Sequence, residues 1–236
     1  MNNTFLSLNS SSREYNMVLI LRSIRIGLNL SCEQVSKRIY YAQTTISFYE
    51  IGRIKADRKF IMRYANFMAE YFEFEQKFFN KTLEKAASCY HNDGNLSMLN
   101  IVSKLIHDNM IHSNQLQYDY IMTSKNESIS VERKISFILG CIRRILNISL
   151  KDVSKIVSNA NQRELGTINT TQKYAIKYAK YISEQLLLPY NNFEGFYDIL
   201  KKEATIMSES KDDMAKNGMI ALANVICLLN LYTFDK

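Results

Sequence analysis

Helix breakers are scarce in this sequence: its 236 residues include one Pro and seven Gly. With Leu, Ile, Lys, Glu and Tyr abundant and no alternating strand pattern set off by turn signals, the chain reads as all-α. Trp is absent, and the three histidines, His91, His107 and His112, have no metal-ligand spacing with Cys or Glu. The four cysteines, Cys32, Cys89, Cys141 and Cys227, are scattered without a CxxC pair, which is expected of reduced thiols in a cytoplasmic protein. There is no Gly-rich phosphate loop and no nucleophile elbow. The expectation is therefore a protein that is not an enzyme, with no catalytic residue, no cofactor and no metal. No apolar run is long enough to span a membrane, and MNNTFLSLNSSS lacks the charged-then-apolar order of a signal peptide. No membrane partner is expected, and the expected location is the bacterial cytosol or nucleoid.

Positive charge is unevenly spread. The net +7 divides into 10 basic and 5 acidic groups over residues 1–70, 5 and 7 over 71–130, 10 and 3 over 131–182, and 5 and 8 over 183–236. Two basic segments thus alternate with two acidic ones. Clustered cations are the electrostatic footprint of nucleic-acid binding.

The two basic segments are also similar in sequence. ILRSIRIGLNLS (20–31) and ILGCIRRILNIS (138–149) share seven of twelve positions, and the same offset of 118 pairs Val35-Ser36-Lys37 with Val153-Ser154-Lys155. Beyond Ile39 the offset falls to 114, pairing Glu50 and Gly52 with Glu164 and Gly166, and Lys59, Tyr64 and Ala65 with Lys173, Tyr178 and Ala179. Matches in order on both sides of one gap read as a tandem duplication. The expected second core is Leu139, Ile142, Leu146, Val153, Ile156, Tyr174 and Tyr178.

Within the first copy, residues 28–68 carry the spacing of a helix-turn-helix. Small Ser36 sits where one helix crosses the next, Tyr40 and Tyr41 occupy the turn, and Ile46 points into the core. Leu28, Leu30, Ser31, Glu33, Gln34, Val35, Ser36, Ile39, Thr45, Ile46, Ser47, Glu50 and Gly52 make the segment resemble the Cro/CI-like (XRE-type) helix-turn-helix regulators, in particular repressors of phages and mobile elements. The resemblance implies a five-helix, lambda-repressor-like unit over roughly residues 15–86. Three positions depart from that pattern: Cys32 replaces a usual Gln, Tyr40 a usual Gly, and Ala56 a common Pro. The four residues missing from the second copy fall in its turn and second helix, about one helical turn. That copy is expected to keep the scaffold and lose base reading, with its helix shortened or replaced by a loop across 158–166.

Gln43 and Thr44, at the leading end of the recognition helix, are the expected base readers, since Gln can bond adenine N6 and N7 and Thr can meet a base edge or a thymine methyl. Ser47 joins them, and Phe48 packs either on a thymine methyl or in the core. Thr45, Arg53, Lys55, Lys37 and Arg38 are expected at phosphates, and Arg22 and Arg25 are further surface cations of the same kind. In the second copy, Lys151, Lys155 and Arg163 are possible secondary phosphate contacts. The aromatic run YFEFEQKFF (71–79) has the spacing of a buried helical face.

Along the chain, the expected helices cover about 14–28, 32–39, 43–50, 58–70, 73–88, 96–122, 131–182 in several pieces, 191–207 and 213–232. Residues 1–12 read as a loose arm and TSKNES (123–128) as a break. The expected organisation is a DNA-binding domain over 1–90, a connecting helix over 91–128, and a degenerate repeat with C-terminal helices over 129–236 serving dimerisation and regulation.

The resemblance implies a dimeric repressor on an inverted-repeat operator in double-stranded DNA, released by a protein or peptide inducer acting on the second half. The apolar segment MIALANVICLLNLY (219–232) serves either its own domain or pairing between chains. Tandem 34-residue helical repeats, expected of a peptide-sensing relative, are not seen. An interaction protein that uses the same fold as an inhibitor or scaffold is the alternative.

Overall fold

The structure is a computed structural model, described over residues 12–91, 94–113, 129–188, 193–207 and 214–234. The expected arm before residue 12, the break at 123–128, the part of the long helix beyond 113, and Pro189 lie outside the described residues. Among the described residues there are twelve helices and no strand, and no helix is long and apolar enough to cross a membrane.

The first six helices are α1 (Arg13–Gly27), α2 (Cys32–Ile39), α3 (Gln43–Glu50), α4 (Arg58–Phe72), α5 (Gln76–Cys89) and α6 (Asn95–His112). Their starts are written in side-chain caps. Ser12 accepts from the Tyr15 N–H, Ser31 and Gln34 form a reciprocal capping box, and Asp57 accepts from the Phe60 N–H at 2.6 Å. Each cap satisfies backbone donors that the helix leaves unpaired. The bounds of α2 and α3 coincide with those the sequence pattern implies. The run 71–79 differs from the single helical face expected of it. Glu73 adopts a left-handed conformation (φ 60°) that ends α4. Phe74 then enters the core from the turn and stacks on Phe72, with ring centroids 5.2 Å apart.

The second six are α7 (Val131–Ile145), α8 (Leu150–Ser154), α9 (Ala160–Glu164), α10 (Gln172–Gln185), α11 (Phe193–Ile206) and α12 (Met214–Phe234). They repeat the first six in order and in detail. Ser130, Ser149 and Thr171 cap α7, α8 and α10 as Ser12, Ser31 and Asp57 cap their counterparts. Left-handed backbone recurs at Asn29 and Asn147, Gly52 and Gly166, and Glu73 and Leu187. Asn16 donates to the Ala87 and Tyr90 carbonyls at the end of α5, and Lys134, 118 positions on, donates to the Met207 carbonyl at the end of α11. Helix α5 packs on α1 and α4 as α11 packs on α7 and α10, so the repeat extends past the sequence match at Tyr181 to the ends of both halves. Ile156 is 45% exposed, against the expectation that it is core, and Val157 takes the buried position. At the offset of 118 the buried Ile39 pairs with Val157, and Ile156 pairs with Arg38, which is exposed as well.

The two repeats pack through equivalent elements. Helix α1 lies against α7 and α6 against α12. Gly27 and Ile145, equivalent positions 118 apart, meet in the interface, where a Cβ built on Gly27 would fall 3.1 Å from Ile145 Cδ1 and 2.5 Å from Met219 Sδ. Self-pairing of equivalent surfaces is the mark of an isologous, two-fold arrangement. Polar bonds cross the same interface. Arg144 donates through Nε and Nη2 to the Gly27 carbonyl at 3.1 and 2.9 Å, Asn95 Nδ2 donates to the Leu146 carbonyl at 2.8 Å, and Lys216 pairs with Glu73 at 2.5 Å. The buried apolar residues of both repeats form one continuous cluster. Of the apolar segment near the C-terminus, open to two readings in the sequence, the part over 219–229 packs within the chain: Met219, Ile220, Ala221, Leu222, Ala223, Val225, Ile226 and Leu229 are all core residues.

Candidate nucleic-acid interface

Helix α3 is clamped at one end and open at the other. Ile46 and Glu50 are its buried residues, and Val35 and Ile39 of α2 are buried with Ile46 in the core. Glu50 is the anchor. Arg25 donates to its two carboxylate oxygens from Nε at 2.8 Å and Nη2 at 2.6 Å, and Tyr64 donates its hydroxyl at 2.9 Å. Arg25 Nη1 also reaches the Leu30 carbonyl at 2.6 Å, which ties α1, the α1–α2 turn, α3 and α4 together. Burial works against the Arg25 charge, but the hydrogen bond and charge of Glu50 more than offset it and hold the guanidinium pKa above its ordinary value. Burial, then Glu50, pushes the Tyr64 hydroxyl well above its usual range, so it stays a neutral donor. The sequence groups Arg25 with the surface cations. The structure corrects this: it is a buried structural group, and Arg22, 40% exposed at its side chain and 3.9 Å from Glu50, is the one that faces outward.

The opposite end of α3 faces solvent. Gln43 and Thr44 are exposed, and Thr45, Ser47 and Phe48 are half-buried. Ala42 at the N-cap makes no side-chain hydrogen bond, so the first-turn N–H groups keep their partial positive charge for an outside acceptor. Just past α3, the Arg53 guanidinium lies 4.7 Å from the Phe48 ring centroid, which holds a cation beside the helix. The Phe48 ring is thus under Arg53 and outside the buried core. Arg53 and Lys55 are exposed, with Ile51 and Ile54 exposed between and before them. On α2, Arg38 is exposed, whereas Lys37 is tied to Glu33 at 2.7 Å, a pairing that lowers the Glu33 carboxyl below its usual range.

The turn between α2 and α3 carries an unusual residue. Tyr40 sits at φ 58°, ψ 44° with 83% of its surface exposed. Left-handed backbone is costly for any residue with a Cβ. Beside it a groove of about 390 Å³ runs between α2 and α4, lined by Lys37, Arg38, Tyr40, Arg63, Phe67 and Glu70. The sequence places Tyr40 in the turn but holds no signal for this groove, because its walls come from two separate helices, as in the Arg63 bond to the Ile39 carbonyl 24 positions earlier.

The second repeat keeps the clamp and shortens the helix it holds. Arg143 donates to Glu164 at 2.7 and 2.8 Å and to the Ile148 carbonyl at 2.8 Å, and Tyr178 donates to Glu164 at 2.5 Å. Every partner is the counterpart of the Arg25, Glu50, Leu30 and Tyr64 set. Yet α9 has five residues against eight in α3, and α8 five against eight in α2. Lys151 is exposed, Lys155 is paired with Asp152 at 2.8 Å, and Asn161 and Gln162 are exposed. Arg163 folds back, its guanidinium 4.6 Å from the Tyr174 ring centroid and donating to the Asn169 carbonyl. The repeated Arg–Glu–Tyr clamp is the feature that sequence reasoning misses. Its signal is present, since all three residues are kept in register in both copies. Comparison of the chain with protein-family models, curated proteins and solved structures finds no match.

Proposed function

We propose that this protein is a sequence-specific duplex-DNA-binding transcriptional regulator, with the first repeat a five-helix unit of the Cro/CI-like (XRE-type) kind. One observation carries the reading. Helix α3 is held rigidly at its Glu50 end by a buried ion pair while Gln43 and Thr44 stand exposed at the other, flanked by Arg53 and Lys55. A rigid short helix with polar readers at its N-terminal end and cations beside it has the chemistry that major-groove recognition needs. Repression is the natural outcome of occupying DNA. The second half, with its shortened α9, is the proposed seat of regulation by a protein or peptide inducer.

The experiment is selection of duplexes from a random pool, followed by binding of variants. Gln43→Ala and Thr44→Ala should each weaken the selected site by about 1–3 kcal/mol for every base they cease to read, while random duplex is barely affected. Arg53→Ala and Lys55→Ala should weaken all duplexes alike and flatten the salt dependence. Unchanged site preference in the Gln43 and Thr44 variants would reject the placement of the reading helix.

A second reading has its own support. Tyr40 at 83%, Ile51 at 51% and Ile54 at 47% exposure are apolar surface around the same helix pair, which a protein partner would cover. Salt separates the two. A DNA binder loses duplex affinity steeply with ionic strength, and a pure protein binder has no duplex affinity to lose.

A further inference from the structure

We infer that one chain is a complete, internally paired DNA-binding unit whose site is unsymmetrical: a single base-read block occupied by a single chain. This rests on the DNA reading above and changes the target from the inverted repeat and chain pair that the family resemblance implies.

One short recognition helix reads few base pairs, and regulators of this kind gain the rest by bringing two copies together. Here the second copy is covalently attached. The surfaces that meet are equivalent ones, α1 with α7 and α6 with α12, and their reciprocal contacts are also made: α6 packs on α7, and Met219 of α12 closes over Gly27 of α1. Met17, Val18, Ile20, Leu21 and Ile24 leave α1 with 5% exposure or less at each of these positions, and Leu99, Val102 and Ile106 of α6 are fully buried. A face already buried is not free for a second chain.

The interface is also unlike on its two sides at the point where equivalent positions meet. Gly27 faces Ile145. The space left by the missing side chain of one repeat takes the side chains of the other. Two first repeats would leave a void there, and two second repeats would set Ile145 against Ile145. The fit is made for the attached partner. The readers are likewise unequal, α3 with eight residues and α9 with five. With the shortened α9 leaving base reading to α3 alone, the base-specific part of the site has no two-fold symmetry.

The test uses the full chain. Duplexes are selected from a random-sequence pool, and the mass of the purified complex is measured by light scattering. The expected result is one unsymmetrical block, bound by one 27.5 kDa chain with a binding curve of unit slope. Adding an inverted second copy of the block one helical turn away should raise apparent affinity by no more than the statistical factor of about two, whereas a chain pair would gain about a hundredfold or more from linked binding. Two chains on an inverted repeat would overturn internal pairing and leave the DNA reading standing. A folded, monomeric chain that enriches no duplex would overturn the DNA reading, and this inference with it.

Discussion

Gly27 and Ile145 occupy the same position in two copies of one repeat, and they face each other across the interface between those copies. A Cβ on Gly27 would fall 3.1 Å from Ile145 Cδ1 and 2.5 Å from Met219 Sδ, both far ends of flexible side chains. The size of the added group should therefore decide the outcome. Gly27→Ala gains up to about 1 kcal/mol of helix propensity, Ile145 need give only slightly, and the flexible Met219 thioether can turn to another rotamer, so its stability should lie within about 1 kcal/mol of wild type. Gly27→Ile demands space that neither neighbour can vacate and should cost about 1–3 kcal/mol or more. Urea unfolding of both variants checks this. An isoleucine variant as stable as the alanine one would mean that the two repeats are not close-packed here.

The Arg25–Glu50–Tyr64 clamp makes a prediction about where stability resides. Glu50 is 2% exposed and Arg25 9%, so Glu50→Ala strands a buried guanidinium. Removing one partner of a buried pair typically costs about 3–5 kcal/mol. Arg22→Ala, which removes a cation 40% exposed at its side chain, should cost under about 1 kcal/mol. Chemical denaturation of the two variants gives the comparison. A loss of less than about 1 kcal/mol in Glu50→Ala would show that the clamp does not hold α3.

How much of this is legible in the sequence follows from which interactions are local. The capping box of Ser31 and Gln34 and the bounds of α2 and α3 depend on neighbours within a few residues, and the sequence pattern shows them. The duplication is visible because core positions such as Ile24 and Ile142 or Tyr64 and Tyr178 keep their identities. The clamp is harder to see, because a lone Arg on an amphipathic helix more often solvates the surface. Only its recurrence at Arg143, with Glu164 and Tyr178, marks it as buried. The pairing of repeats is also hidden. Helix α1 is apolar on more of its circumference than its own repeat needs, and sequence alone does not say whether the surplus meets α7 or another chain. The left-handed turn at Glu73 has no Gly or Asn to announce it.

Tyr40 offers a test of local strain. Its backbone is left-handed at φ 58°, and its side chain is 83% exposed, so truncation removes little packing. Left-handed geometry costs a residue with a Cβ roughly 1–2 kcal/mol, part of which glycine's larger unfolded-state freedom cancels. Tyr40→Gly should then stabilise the protein by about 0.5–1 kcal/mol, seen as a higher melting temperature. A destabilised glycine variant would show that the exposed ring makes contacts that outweigh the strain.

Glu203 supplies a pH dependence with a defined sign. It is 4% exposed on α11 and accepts from Asn224 Nδ2 of α12 at 2.9 Å. Burial pushes its carboxyl above the ordinary 4.5, outweighing the opposing hydrogen bond from Asn224 and the charge of Lys202. With the folded pKa raised, the unfolded chain releases this proton first. The contribution is therefore fully present below pH 4.5 and is lost as pH rises through the higher folded value. Glu203→Gln keeps an acceptor for Asn224 and carries no charge. The variant should gain on wild type as pH increases from 4.5 through the raised folded value, and stay level above it. Unfolding free energies measured across that range decide it, and a difference that shrinks with rising pH would contradict the burial argument.

The last prediction separates covalent linkage from fit. The two repeats meet through packed helices and polar bonds from Arg144 to Gly27, Asn95 to Leu146 and Lys216 to Glu73. None of these needs the chain between residues 113 and 129. Pieces covering 1–128 and 129–236, made separately and mixed, should therefore associate one to one. The Gly27 and Ile145 surfaces fit each other better than either fits itself, so the mixed pair should form in preference to pairs of like pieces. Gly27→Ile in the first piece fills the space that Ile145 and Met219 occupy, and it should weaken the association by roughly tenfold or more, equivalent to about 1.4 kcal/mol. Sedimentation of each piece alone and of the mixture gives the masses directly. Like pieces that pair as tightly as the mixture would show that the surface is self-complementary, and the contrast between Gly27 and Ile145 would then have no part in choosing the partner.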